Sequence, residues 1–356
     1  MRYQSRLSAV PMWSATHPGL AVAVWTLCVA AATVVGGFGP HTGFGAHTVL
    51  DGPPVLLLAA LLVCGTVGAA VVLAVVAAGT GVAAAGLCSA VHPADGPLVG
   101  GAAAGLAIVY AAALLRRFRT ERANSRRYAG RVTISTTGGI VVAAGLVVVL
   151  PAALFAGLNA SFAALVATGT ALCAAGTVIP ALLAWYGGPV RARPNRVASF
   201  VGRLSVRHPA PSLALAAVLL AVAVAALRIA GIPFLATIPG LITLPVPVLL
   251  LAGRMRAATL TGSALGPAIE WAVLSTAPTT VIAAAGAGCV AAVADLAAGV
   301  GVLVGSVLVV LTVPALLAVA GGSAQSTVSG PSAPPAKLKS ADDGDDGDGG
   351  GVPWRK

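Results

Sequence analysis

The sequence predicts an all-α polytopic membrane protein, and three observations carry that expectation. Of 356 residues, 58% are hydrophobic and 9% charged, with a mean hydropathy of +0.96. Soluble chains carry roughly 25% charged residues, so this one has no side chains from which to build a water-facing shell. Apolar runs of bilayer length, about 17–25 residues, recur along the chain. Each main arginine cluster directly follows such a run, as cytoplasmic segments do under the positive-inside rule. Aromatics are only 4% and glycines number 44; small residues let helix backbones approach closely in lipid.

Taken in order, the spans fall at Gly19–Gly37, Pro97–Leu115, Val132–Leu150, Ala160–Trp185, Pro211–Ile229, Pro233–Ala252, Trp271–Val293 and Gly299–Ala320. The stretch Pro54–Val91 has 38 residues and no charge. As one helix it would run about 57 Å, far beyond a hydrocarbon core of about 30 Å. Two helices breaking near Gly65–Gly68 fit better, which makes ten spans. Charge parity agrees. Arg2 and Arg6 place the N-terminus in the cytoplasm, and two crossings by 54–91 put both following basic clusters and the C-terminus there too. The first span is longer than the apolar region of a signal peptide, so it reads as a retained helix.

The net charge of +11 has a position-based explanation. Seven arginines lie between Arg116 and Arg131, five between Arg191 and Arg207, and two more are Arg254 and Arg256. Arg116, Arg117, Arg119, Arg122, Arg126, Arg127, Arg191, Arg193 and Arg196 are the candidates for setting topology or holding anionic lipid headgroups. Membrane lipids are the expected partners and nucleic acid is not. Composition rich in Ala, Val, Gly and Arg, with three lysines, suits a high-GC genome such as an actinobacterium's.

Cys28, Cys64, Cys88, Cys173 and Cys289 all sit in apolar stretches without a CxxC pair and read as buried free thiols. Gly39–Pro54 reads as a short external loop whose His41, His47 and Asp51 match no tetrahedral metal spacing. From Gly321 the chain turns Ser/Pro/Gly-rich and then acidic, "ADDGDDGDGG", the composition of a disordered tail. Its alternating Asp lack the distal Glu of a calcium loop.

Three motifs recur in the same order. "SATHPGLAVAVWTLCVAAATVVG" from Ser14 returns as "SVRHPAPSLALAAVLLAVAVAAL" from Ser205. "STTGGIVVAAG" from Ser135 returns as "TAPTTVIAAAG" from Thr276. "VIPALLAWYGG" returns as "TVPALLAVAGG", with Pro180 opposite Pro314. A duplicated bundle is implied. Its parts are a cytoplasmic segment 1–18, a six-span repeat 19–188, a basic linker 189–210, a four-span repeat 211–320 and the tail 321–356.

These motifs resemble the mycobacterial membrane protein large (MMPL) family within the resistance-nodulation-division (RND) superfamily of proton-driven lipid exporters. Basic residues and His-Pro precede the first span of each half. "GLAIVYAAALLRRFRTE", Gly105–Glu121, resembles that family's fourth span; "TTGGIVVAAGLVV" resembles the start of its fifth and "GTVIPALLAWYGG" the end of its sixth. The likeness covers nearly all of Ser5–Gly321 and implies an RND-like transmembrane bundle.

Two departures bear on function. The family has twelve spans and a large porter domain after the first span of each half; here those gaps are Gly39–Pro54 and Ala230–Pro233. The family's proton relay is an Asp-Tyr pair on the fourth and tenth spans. This chain has Val109-Tyr110, and aligning Arg117-Phe118-Arg119 with Arg254-Met255-Arg256 puts Val246-Pro247 in the second copy. A mid-membrane carboxylate costs about 2.5–3.5 kcal/mol and is retained for its titration. Outside the tail the acids are Asp51, Asp95, Glu121, Glu270 and Asp295, all at or beyond span ends. Val109, Tyr110, Val246 and Pro247 therefore read as degenerate relay positions.

Other chemistry finds no footing. The five histidines lie in loops or at span edges, span hydroxyls such as Ser135, Thr136 and Thr137 have no base in view, and there is no P-loop or metal cluster. No enzyme activity, cofactor or metal is expected. Pro245, Pro247 and Pro278 free backbone carbonyls for a kink or a cavity. Two functions remain open. One is a non-proton-coupled accessory or scaffold of lipid export in the plasma membrane, docking on a full-length exporter or envelope-assembly protein. The other is a minimal transporter of lipid or hydrophobic solute acting alone.

Overall fold

The computed structural model describes residues 9–35, 46–124, 129–155, 157–186, 208–229, 238–263 and 265–328. Helices occupy almost all of them, and no strand occurs among the described residues. In chain order they are α1 (Ala9–Thr16), α2 (Pro18–Val35), α3 (Ala46–Cys64), α4 (Val67–Ser89), α5 (Gly96–Asn124), α6 (Ala129–Thr133), α7 (Gly139–Leu154), α8 (Asn159–Gly176), α9 (Val178–Tyr186), α10 (Pro209–Ile229), α11 (Ile238–Thr243), α12 (Pro245–Leu260), α13 (Leu265–Ala294) and α14 (Leu296–Val328). Backbone groups in lipid must be satisfied internally, which is why an apolar chain of this length closes into helices.

Eight helical stretches are long and apolar enough to cross a membrane, and shorter apolar helices cover Pro53–Cys64 and Pro209–Val222. The protein is therefore of multi-pass membrane type. Several expected boundaries move. α3 begins at Ala46, inside the stretch read as an external loop, and α14 continues to Val328, past the expected start of the tail. Arg116–Arg122 and Arg254–Arg256 lie on the last turns of α5 and α12 rather than in loops. The linker 189–207 and the tail beyond Val328 lie outside the described residues.

Pro54–Val91 does break, between Cys64 and Val67. Gly65 takes a positive φ of +69° there, a conformation that glycine adopts without a Cβ clash. The expected span Ala160–Trp185 is found as one membrane-length stretch, Asn159–Leu182, whose helix is interrupted at Thr177. Pro180 carries no N–H for the carbonyl four residues back, Gly176. That carbonyl instead accepts a hydrogen bond of 2.9 Å from the Ser14 hydroxyl. The "STTGG" segment departs from regular helix as a π-turn, Ile134–Gly138.

At the centre stands α5. In its most apolar stretch 89% of residues are buried, against 11% for α2 at the periphery. It packs on α3, α4, α8, α11 and α13. Small residues permit this. A Cβ added at Gly81 of α4 would lie 2.9 Å from the Gly100 carbonyl of α5, and one at Gly105 would lie 3.1 Å from the Ala287 carbonyl of α13. One apolar cluster runs from Ala59 through α5 to Val302, so the two expected repeats share a core.

Candidate functional site

The site grows from the middle of α5. Val109 lies midway along the Pro93–Arg122 span and is 7% exposed. Val109 and Ala113 form one wall of a cavity of about 20 Å³; Val246, Pro247 and Leu250 of α12 form another. Residues at i and i+4 share a helix face, which accounts for both pairs. The folded chain thus brings together three of the four positions that the sequence resemblance marks as a degenerate relay, although 137 residues separate Val109 from Val246. Tyr110, one helical step round from Val109, is fully buried but does not line the cavity.

The remaining wall is hydroxylic. Thr243 of α11, Thr279 and Thr280 of α13 and Ser306 of α14 line it, all under 9% exposed. Among the described residues, no acid, lysine, arginine or histidine lines this cavity. It offers hydrogen bonding without titration. Sequence reasoning noted the Thr276–Thr280 motif as a repeat but not as a lining; Ser306 and Thr243 carried no signal beyond being hydroxyls in apolar runs.

Local helix chemistry explains why these hydroxyls differ. Thr243 Oγ1 donates to the Gly240 carbonyl at 2.8 Å and Thr280 Oγ1 to the Thr276 carbonyl at 3.2 Å. The side-chain hydroxyls of Thr276 and Thr279 are buried and make no hydrogen bond. Their usual acceptors, four residues back, are Ala272 and Ser275. Each is already engaged: the Ser275 hydroxyl donates to Ala272 at 2.9 Å, and Arg254 Nη1 donates to the Ser275 carbonyl at 2.8 Å. Pro278, inside the continuous helix α13, leaves the neighbouring Leu274 carbonyl without its helical donor. A smaller cavity of about 10 Å³ lies beside Thr276 and shares Pro247 and Thr280 with the first.

Toward the basic end three of the α5 arginines have partners within the protein. Arg119 donates through Nη1 to the Val63 carbonyl at 3.3 Å and through Nη2 to the Cys64 carbonyl. It therefore caps the C-terminus of α3, where carbonyls lack helical donors and a cation is favoured. Arg117 pairs with Glu121 at 2.5 Å, and the Arg122 guanidinium lies 5.8 Å over the Phe118 ring. Arg116 is half-buried. Arg126, Arg127, Arg191, Arg193 and Arg196 lie outside the described residues. Among the described residues there is no group of three or more His, Cys, Asp or Glu placed to hold a metal. Comparison with protein-family models, with curated proteins and with solved structures finds no match for this chain.

Proposed function

We propose that this protein is an MMPL/RND-like component of the plasma membrane that has kept the bundle and lost the proton carrier, and that it serves lipid export as an accessory or scaffold on a full-length exporter or envelope-assembly protein. One observation carries the reading: Val109 and Val246-Pro247, the positions aligned with the family's relay, meet at one cavity that, among the described residues, no titratable side chain lines. A site that cannot change charge cannot couple a conformational step to proton flow. The cavity, about 20 Å³, has room for about one water, far less than a lipid needs, which weighs against transport by the chain alone.

The same reading places ten crossings with both termini in the cytoplasm. The two further crossings would come from α3 and α10, of 19 and 21 residues, whose apolar parts are Pro53–Cys64 and Pro209–Val222. The Arg119 bonds to Val63 and Cys64 also bring the C-terminal end of α3 to the basic end of α5. That is the side the arrangement assigns to the cytoplasm.

The test is in-cell crosslinking followed by mild-detergent affinity purification and mass spectrometry. A stoichiometric exporter or envelope enzyme, crosslinked at defined helices, is the expected result. A chain that purifies alone with a defined lipid would overturn the accessory role and favour autonomous lipid handling.

A further inference from the structure

Beyond the cavity, the two helices that wall it converge on a cluster of charge that an accessory role does not use. α5 and α12 both run from the cavity toward the basic end. Arg116 and Arg117 follow Val109 by seven and eight residues, and Arg254 follows Val246 by eight. At about 1.5 Å per residue all three stand roughly 11–12 Å beyond the cavity. Arg254 lies within electrostatic range of both Arg116 and Arg117. We propose that these three guanidiniums, drawn from α5 and α12, bind the phosphate of an anionic phospholipid headgroup.

Uncompensated charge points to the ligand. Arg254 is held by its hydrogen bond of 2.8 Å to the Ser275 carbonyl, a neutral group. Arg117 pairs with Glu121, and its Nε is buried without a hydrogen-bond partner. Arg116 is half-buried, and among the described residues its guanidinium makes neither a hydrogen bond nor an ion pair. Glu270, five residues before Ser275 on α13, pairs with none of the three. Three cations and one carboxylate leave an excess of two positive charges. Half-buried charges are screened less than exposed ones, so their repulsion persists until an anion relieves it.

Phosphate fits in charge and in form. A phosphomonoester carries about −1.5 to −2 at pH 7, and the planar fork of a guanidinium meets two phosphate oxygens at once. The cluster lies near the ends of the membrane-length stretches Pro93–Arg122 and Pro239–Leu260, the level at which headgroups are supplied by the bilayer itself. The chain's own further acids are Asp342, Asp343, Asp345, Asp346 and Asp348, but Lys337, Lys339, Arg355 and Lys356 flank them and nearly cancel their charge. The site needs no partner protein, so its failure and that of the accessory reading are separate outcomes.

Native mass spectrometry of the full chain in detergent, with added phosphatidate, phosphatidylcholine or inorganic phosphate, tests it. The expected result is retention of phosphatidate over phosphatidylcholine. R116Q should weaken that binding about tenfold, the loss of one hydrogen bond to a charged group, and R116K should recover part of it. R256Q, which removes the same charge from an exposed residue, should leave it unchanged. Equal losses in R116Q and R256Q would mean diffuse attraction and overturn the site. Displacement of the lipid by equimolar inorganic phosphate would overturn the lipid as occupant. Phosphatidate that binds only once the five tail aspartates are replaced by asparagine would do the same in favour of the tail. If R116Q does not fold, the preference of the wild type and R256Q for phosphatidate over phosphatidylcholine decides, and its absence overturns the proposal.

Discussion

Arg119 joins two helices through backbone carbonyls. Its guanidinium reaches Val63 and Cys64 at the end of α3, where the helix would otherwise present unpaired carbonyls beside the Gly65 break. Replacing it with alanine removes two charge-assisted donors at once. We expect R119A to lower stability by about 1–3 kcal/mol, with R119K recovering part of the loss because an ammonium can still meet one carbonyl. Thermal unfolding in nanodiscs measures this. An R119A protein as stable as wild type would show that the cap contributes nothing. The role could not be read from sequence, because the partners lie 55 and 56 residues away and nothing local to Arg119 distinguishes it from Arg117. Val109 was legible for the opposite reason: its motif placed it, and the fold then set it beside Val246.

At the level of elements, prolines mark where helices exchange carbonyl partners. The break after α8 is the clearest case. Pro180 withholds an N–H from Gly176, and the Ser14 hydroxyl supplies the missing donor from α1. A double-mutant cycle follows. S14A alone should destabilise by about 1–3 kcal/mol, since it leaves a buried carbonyl unpaired. In a P180A background the restored N–H can take that carbonyl, and the penalty of S14A should shrink. Equal penalties in the two backgrounds would mean that Ser14 acts independently of Pro180. The signal for this break was in the sequence, but an apolar run through Ala160–Trp185 hides it when hydropathy alone sets the boundaries. Gly65 was easier, because a span of 38 uncharged residues exceeds any bilayer and demands an interruption.

For the whole molecule, the proposed ten-crossing arrangement assigns sides to the connections. Ser263, between α12 and α13, and Gly157, between α7 and α8, are both exposed. In a background whose five native cysteines are replaced by alanine, S263C should react with an impermeant maleimide only from the cytoplasmic face. G157C should react only from the opposite face. Both reacting from one side would remove the arrangement, because α12, α13, α7 and α8 would then need different parity. Composition fixed the helical, membrane-bound character and charge fixed the expected sides. Which helix stands at the centre was not legible, because α4, α7 and α14 have spans more apolar than that of α5, which owes its place to the small residues at its contacts with α4 and α13.

That central place has a consequence for biosynthesis. The contact between Gly105 and Ala287 joins residues roughly 180 positions apart, and at about 5–20 residues per second the ribosome needs about 10–35 s to make that interval. Until that interval has passed, the helix that covers one side of α5 does not yet exist in full. Alanine- and glycine-rich walls are sticky to any helix with a matching small face. The nascent chain therefore passes through a period in which its most interior helix is open to whatever neighbour the membrane supplies, and the late arrival of α13 is the event that closes it.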